Sequence, residues 1–299
     1  MTEGTVSRRD FLRYAGLAGA TVAIGGGLGE LLAACGASSI TTTITTATTT
    51  TDATTATTAS ASSETTDAPS PTTGEGEPTT NPKQRVAYLT FDDGPSKLTP
   101  ELLSTLNDND VKATFFVMGV HAQKYPGMLK EIVDHGNVIG VHSWTHDYSY
   151  IYKNTQNFSA DFSKLSDYIR QETGIAPNIC RFPGGTNNTV CFHYSKGHIM
   201  RKIVPLVEAM GFRYFDWNVS SAEASSPLPS KDTIVTTVVS QCKKKDTAVI
   251  LFHDIDNHGY LEAIPEIVSK LRSMRFTFET LSPTNPPKSR SASVQFQPS

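Results

Sequence analysis

Two adjacent carboxylates, Asp92 and Asp93 in the run Thr90-Phe91-Asp92-Asp93-Gly94-Pro95, are answered some fifty residues later by His142-Ser143-Trp144-Thr145-His146. Two imidazoles and one carboxylate form a ligand set for a single divalent ion, and a second carboxylate beside them can move a proton. Residues four apart in a helical turn project from one face, so the spacing predicts that both rings reach the same ion. A third ligand must then come from elsewhere, and a catalytic site keeps one position open for water. Asp-Asp-Gly-Pro alone describes a turn, because those residues suit turns for backbone reasons. Its co-occurrence with the histidine pair points instead to metal-assisted hydrolysis.

These residues need elements to hold them. Apolar, β-branched runs at Val86–Phe91, Ala113–Met118, Val138–Val141, Asn178–Phe182, Phe212–Trp217, Thr247–Phe252 and Phe276–Thr280 predict about seven strands. Helical periodicity lies between them at Pro100–Leu106, Met128–His135, Phe158–Glu172, Met200–Met210, Thr233–Gln241 and Leu261–Leu271. Such alternation means a parallel sheet, and with no glycine-rich dinucleotide loop it predicts an α/β fold, a distorted (β/α) barrel. Barrel enzymes carry their chemistry on loops at the C-terminal ends of the strands. Asp92 and Asp93 follow the first strand, His142 and His146 the third, Arg181 ends the fourth, Trp217 and Asn218 the fifth, and His253 follows the sixth. All the suspect residues therefore fall on one rim, whereas unrelated polar residues would scatter over both ends.

The chain ends read differently. Ser7-Arg8-Arg9-Asp10-Phe11-Leu12 is a twin-arginine signature before an apolar, Gly/Ala-rich stretch, which predicts an export signal over residues 1–34. Leu32-Ala33-Ala34-Cys35 resembles a bacterial lipobox, which implies lipid attachment at Cys35 and anchoring on the outer face of the cytoplasmic membrane. Residues 35–82 are rich in Thr, Ala, Ser and Pro and read as a flexible tether; 282–299 reads as a disordered tail. Residues 83–281 then form one domain. The net charge of −3 and the lack of a basic face exclude nucleic acid as the expected partner. Cys180, Cys191 and Cys242 lack CxxC spacing, so a zinc ribbon is not expected. Cys180 and Cys191 are the nearest pair for a disulfide, against the alternative of buried thiols.

In their order along the chain, TFDDGP at 90–95, HSWTH at 142–146, RFPGG at 181–185, the tryptophan at 217 and Leu251-Phe252-His253 resemble the five motifs of the polysaccharide deacetylase family, the NodB-homology domain or carbohydrate esterase family four. The resemblance covers most of residues 84–281. It implies a divalent ion, zinc first, with cobalt or manganese as alternatives, and removal of acetyl groups from N-acetylated sugars or acetylated xylan. Carried onto this sequence, Asp93, His142 and His146 are the implied metal ligands, Asp92 the general base and Arg181 the residue that orients it. Gly184 would supply a backbone oxyanion donor, His253 the general acid, and Trp217 and Leu251 the pocket for the acetyl methyl. RFPGGTNNTV and YFDWNVSSAE look most like peptidoglycan deacetylases of Gram-positive bacteria. Cell-wall N-acetylglucosamine is therefore the expected substrate and a monomer the expected state. Chitooligosaccharide or acetylxylan is the enzymatic alternative, an inactive glycan-binding module the non-enzymatic one. Ser220 stands where many members carry an aspartate that tunes the catalytic histidine, and Asp216 and Asp254 are the candidates to substitute. His121, His135, His193, His198 and His258 have no partner at ligand spacing and read as surface or loop residues.

Overall fold

The computed structural model describes residues 84–195 and 198–284. The expected export signal, lipid-modified cysteine and tether lie outside these residues, as does the tail beyond 284. No helix among the described residues is long and apolar enough to cross a membrane.

The strands are β1 (Arg85–Asp92), β2 (Thr114–Met118), β3 (Val138–Ser143), β4 (Ile179–Cys180), β5 (Arg213–Tyr214), β6 (Val219–Ser220), β7 (Thr247–His253) and β8 (Phe276–Phe278). The helices are α1 (Thr99–Asp108), α2 (Gly119–Lys124), α3 (Met128–Asp134), α4 (Tyr148–Ile151), α5 (Thr155–Thr173), α6 (Met200–Ala209), α7 (Lys231–Cys242) and α8 (His258–Ser273). Strand pairing is parallel throughout, in the order β5-β4-β3-β2-β1-β7-β6. The eighth strand, β8, pairs with Arg85–Ala87 of β1, while β2 pairs with Thr90–Asp92. One side of β1 is thus shared between two strands, which distorts the barrel. The two edges, β5 and β6, are joined by residues 215–218 alone. Five residue steps span at most about 18 Å, so the sheet must curl until its edges nearly meet. Of the strand expected over Phe212–Trp217 only Arg213–Tyr214 forms, as β5, and the chain then crosses to β6 at Val219.

The pleat decides what points where. Ala87, Leu89 and Phe91 of β1, Phe115 and Val117 of β2, Val141 of β3 and Phe252 of β7 join the large core against the helices. The alternate residues, Tyr88, Phe116, Ile179 and Val249, form a smaller cluster with Phe215 and Leu281 inside the curl. Strands buried on both faces read as continuous apolar runs, which is why β1, β2 and β7 were legible. By the same parity Asp92, His142, Leu251 and His253 turn inward at the strand ends. Helix ends are fixed locally: Asn154 caps α5 through Asn157 N and Ser230 caps α7 through Thr233 N. Cys180, Cys191 and Cys242 are all free and buried, so the disulfide considered for Cys180 and Cys191 is not formed.

Candidate active site

At the C-terminal rim, β1 and β7 are in register with Asp92 beside His253. The Asp254 N–H donates to the Asp92 carbonyl at 2.8 Å, tying the two strand ends together. Gly94 lets the next turn pass close by: a Cβ there would lie 2.4 Å from an Asp254 carboxylate oxygen. Asp254 itself accepts from Ser96 Oγ at 2.7 Å and Thr99 Oγ1 at 2.6 Å, and burial raises its pKa. It pins the β1 loop rather than reaching His253.

Asp92 is buried and accepts from Arg181 Nη1 at 2.8 Å. The Arg181 guanidinium, also buried, donates in addition to Thr90 Oγ1, to the Phe215 carbonyl and to the Asp216 carbonyl. A cation with so many fixed acceptors is rigid, and it holds the inward carboxylate in one orientation.

Asp93 turns the other way because its φ is +70°, a left-handed conformation that costs a non-glycine residue of order 1–3 kcal/mol. His146 shares this feature, with φ +56°. The pair 142/146 is therefore not on a helical turn, contrary to the spacing argument: His142 lies within β3 and His146 in the loop beyond it. The rings still converge, because a strand end followed by a left-handed residue reverses the chain as tightly as a helix would. His142 Nε2 and His146 Nε2 each lie 3.4 Å from Asp93 Oδ1, and one ligand atom from each of the three residues falls within 4.8 Å of the others. His142 Nδ1 is 2.8 Å from the Arg181 carbonyl, so Nδ1 carries the proton and Nε2 presents its lone pair. Asp93 Oδ1 is buried with no hydrogen-bond partner, which is costly for a carboxylate oxygen unless a cation meets it. Burial pushes the Asp93 pKa up, but the imidazoles of His146 and His142 beside it outweigh that and hold the carboxyl well below its ordinary range. The donor set thus fits a divalent cation. His121, read from sequence as a surface residue, is part of the same structure: its Nδ1 meets the Asp93 carbonyl at 2.6 Å and braces the strained turn.

His253 has a partner that the sequence reading missed. Glu223 Oε1 accepts from both the His253 backbone N–H, at 2.6 Å, and Nδ1–H, at 2.8 Å, while Ser221 Oγ donates to Oε2. Burial lowers the His253 pKa, but the Glu223 charge and hydrogen bond, with help from Asp93 and Asp92, raise it to about 9. Ser220, which stands where many family members carry the tuning aspartate, instead accepts from Ala222 N through its hydroxyl, while its backbone N–H and carbonyl bond the Gln241 side chain. Asp216 holds Thr186 through its carboxylate. Neither reaches the histidine. Ala222 at φ +60° turns the chain back so that Glu223 arrives under the ring. One signal was present: Glu223 is the only charged residue between Asp216 and Lys231.

Gly184 and Gly185 both have φ +78°, the conformation that turns the chain after Arg181 across the site. A Cβ on Gly184 would come within 2.9 Å of Asn188 Nδ2 and of Tyr148 Oη. Gly184→Ala is expected to cost about 1–2 kcal/mol in urea unfolding from the left-handed backbone alone, and unchanged stability would argue against this turn. Trp217, half-buried, packs close to Gly185, and Leu251 is buried on β7 two residues before His253.

The family model described as polysaccharide deacetylase matches residues 79–213. A peptidoglycan-N-acetylglucosamine deacetylase of Bacillus cereus is 32% identical over 200 residues, 66% of this chain and 69% of that protein. The catalytic domain of a peptidoglycan N-acetylglucosamine deacetylase from Eubacterium rectale superposes with a TM-score of 0.65 at 37% identity, covering 71% of this chain and 96% of that one. A family 4 carbohydrate esterase from Streptomyces lividans, solved with acetate, gives 0.55 at 28% identity, with 68% and 96% covered. Relatedness at this level leaves one conclusion: the chain belongs to the polysaccharide deacetylase family.

Proposed function

We propose that this protein removes the acetyl group from N-acetylglucosamine residues of peptidoglycan, working on the outer face of the bacterial membrane to which a lipid on Cys35 holds it. One observation carries the chemistry: a buried carboxylate with no metal-facing role of its own, Asp92, stands in register with His253 while Asp93, His142 and His146 converge beside them.

Asp93, His142 and His146 would hold the divalent ion, zinc being favoured by two imidazoles and a carboxylate. When bound, such an ion polarises the acetyl carbonyl and makes water acidic enough to attack near neutral pH. Asp92, fixed by Arg181, takes a proton from the attacking water. The Gly184 N–H donates to the oxygen that gains charge. His253, kept protonated by Glu223, gives its proton to the departing amine, without which the C–N bond breaks poorly. Acetate and a free amino sugar result. Trp217 and Leu251 offer the apolar surface for the acetyl methyl.

A peptidoglycan-N-acetylmuramic acid deacetylase of Bacillus subtilis is 31% identical, though this chain spans only 40% of it. Purified protein is expected to release acetate from peptidoglycan and chitooligosaccharides faster than from acetylxylan, with new amines on glucosamine rather than muramic acid by mass spectrometry of the digested wall. Exclusive muramic acid products would overturn the substrate. Mass spectrometry of the exported protein should show lipid on Cys35; an unmodified cysteine would remove the anchor.

A further inference from the structure

Asp161 lies on α5, an element that supplies no residue to the site, yet its carboxylate is buried and faces the loop after β3. Oδ1 accepts from Ser143 Oγ at 2.7 Å and Trp144 N at 2.6 Å. Oδ2 accepts from Thr145 N at 2.9 Å and Thr145 Oγ1 at 2.7 Å. Four neutral donors thus converge on one carboxylate, and every one belongs to the three residues between His142 and His146. Ser143 Oγ, while donating to Asp161, accepts from the His146 N–H at 2.9 Å. The chain of contacts therefore runs from the helix to the backbone of His146.

His142 and His146 differ in what holds them. His142 is part of β3 and its ring is fixed by the Arg181 carbonyl. His146 lies beyond the strand, with φ +56°, a conformation that persists only where the surroundings over-determine it. The Asp161 carboxylate is what over-determines it, because it binds two successive backbone N–H groups and the hydroxyls on either side. Trp144, between them, turns away from the site and packs on Tyr168 and Lys164, so it does not steady the His146 ring.

We propose that Asp161 is a positioning residue for the metal site: through Ser143 and Thr145 it fixes the turn that brings His146 Nε2 to 3.4 Å from Asp93 Oδ1. The proposal rests on the metal-binding reading of Asp93, His142 and His146. Its mechanism is electrostatic as well as geometric, since charged acceptors make the stronger hydrogen bonds and a carboxamide at this position would face one N–H donor with another.

The test is zinc affinity in the full-length chain, measured by competition with a chromophoric chelator and compared among wild type, Asp161→Asn, Ser143→Ala and Asp93→Ala. Asp161→Asn is expected to bind zinc roughly 10–100-fold more weakly, the range found when groups supporting metal ligands are removed, with the far-ultraviolet circular dichroism of the wild type. Ser143→Ala, which removes the hydroxyl that joins Asp161 to the His146 N–H but leaves the carboxylate its bonds to Trp144 and Thr145, should fall between the two. A purely structural role would lower the melting temperature of the metal-free protein and leave zinc affinity unchanged, and that result overturns the proposal. If Asp161→Asn does not fold, Ser143→Ala decides: weakened binding supports the proposal and wild-type binding overturns it. A wild type no better than Asp93→Ala abolishes the metal site, and the proposal with it, whereas tight wild-type binding with unchanged Asp161 and Ser143 variants overturns the proposal alone.

Discussion

Asp92→Asn is expected to lower turnover by about 10³-fold, within the range for removing a general base, while the protein binds zinc as the wild type does. The separation follows from the two aspartates facing opposite ways. Asp92 turns inward to Arg181 Nη1 at 2.8 Å, and its Oδ2 stays 4.0 Å from His142 Nε2. Asp93 Oδ1, in contrast, is 3.4 Å from both imidazoles. Asparagine keeps the shape and an oxygen for Arg181 but cannot take a proton. Removing the charge leaves a buried guanidinium less well compensated, so the melting temperature should fall; turnover is to be compared at a temperature where both proteins are folded. Acetate release and a zinc titration on the same sample check the result. Loss of zinc from Asp92→Asn would reverse the roles of the two aspartates.

Glu223→Gln should move the alkaline limb of the rate profile toward acid. As the proposed general acid His253 would act while protonated, and its pKa of about 9 lies above the ordinary value despite burial, because the Glu223 carboxylate holds its proton. Protonated His253 is therefore present below about pH 9 and lost above it. Glutamine keeps an acceptor for the His253 N–H groups and removes the charge, leaving burial opposed only by Asp93 and Asp92, so the pKa falls toward about 6.5. At pH 8 the protonated fraction then falls by roughly 30-fold, and the rate with it. A bound cation displaces both profiles in the same direction, so the expected signature is the separation between variant and wild type. Coincident alkaline limbs would show that Glu223 does not control the proton.

Much of this site was legible because strand ends are local features. The apolar runs of β1, β2 and β7 located the rim, and the parity of Tyr88, Thr90 and Asp92 on one strand face put the carboxylate inside. What could not be read depends on backbone reversals. His142 and His146 converge through the left-handed residue at 146 rather than a helix, and no residue type announces that conformation. Glu223 reaches His253 across 30 residues of sequence through a turn at Ala222, and Ser220 drew attention only because of its place after Trp217. His121 and Asp161 act on the site from helices whose sequences show only ordinary amphipathic spacing. Strand β6 escaped because two residues are too few to show a period, although they close the sheet opposite β5.

Metal-dependent deacetylation is tested most directly by acetate release from peptidoglycan by the purified protein, before and after exhaustive chelation and again after zinc is restored. The geometry of Asp92, Asp93, His142, His146 and His253 predicts release that falls to background on chelation and returns with stoichiometric zinc. Acetate release that survives complete removal of metal would contradict it.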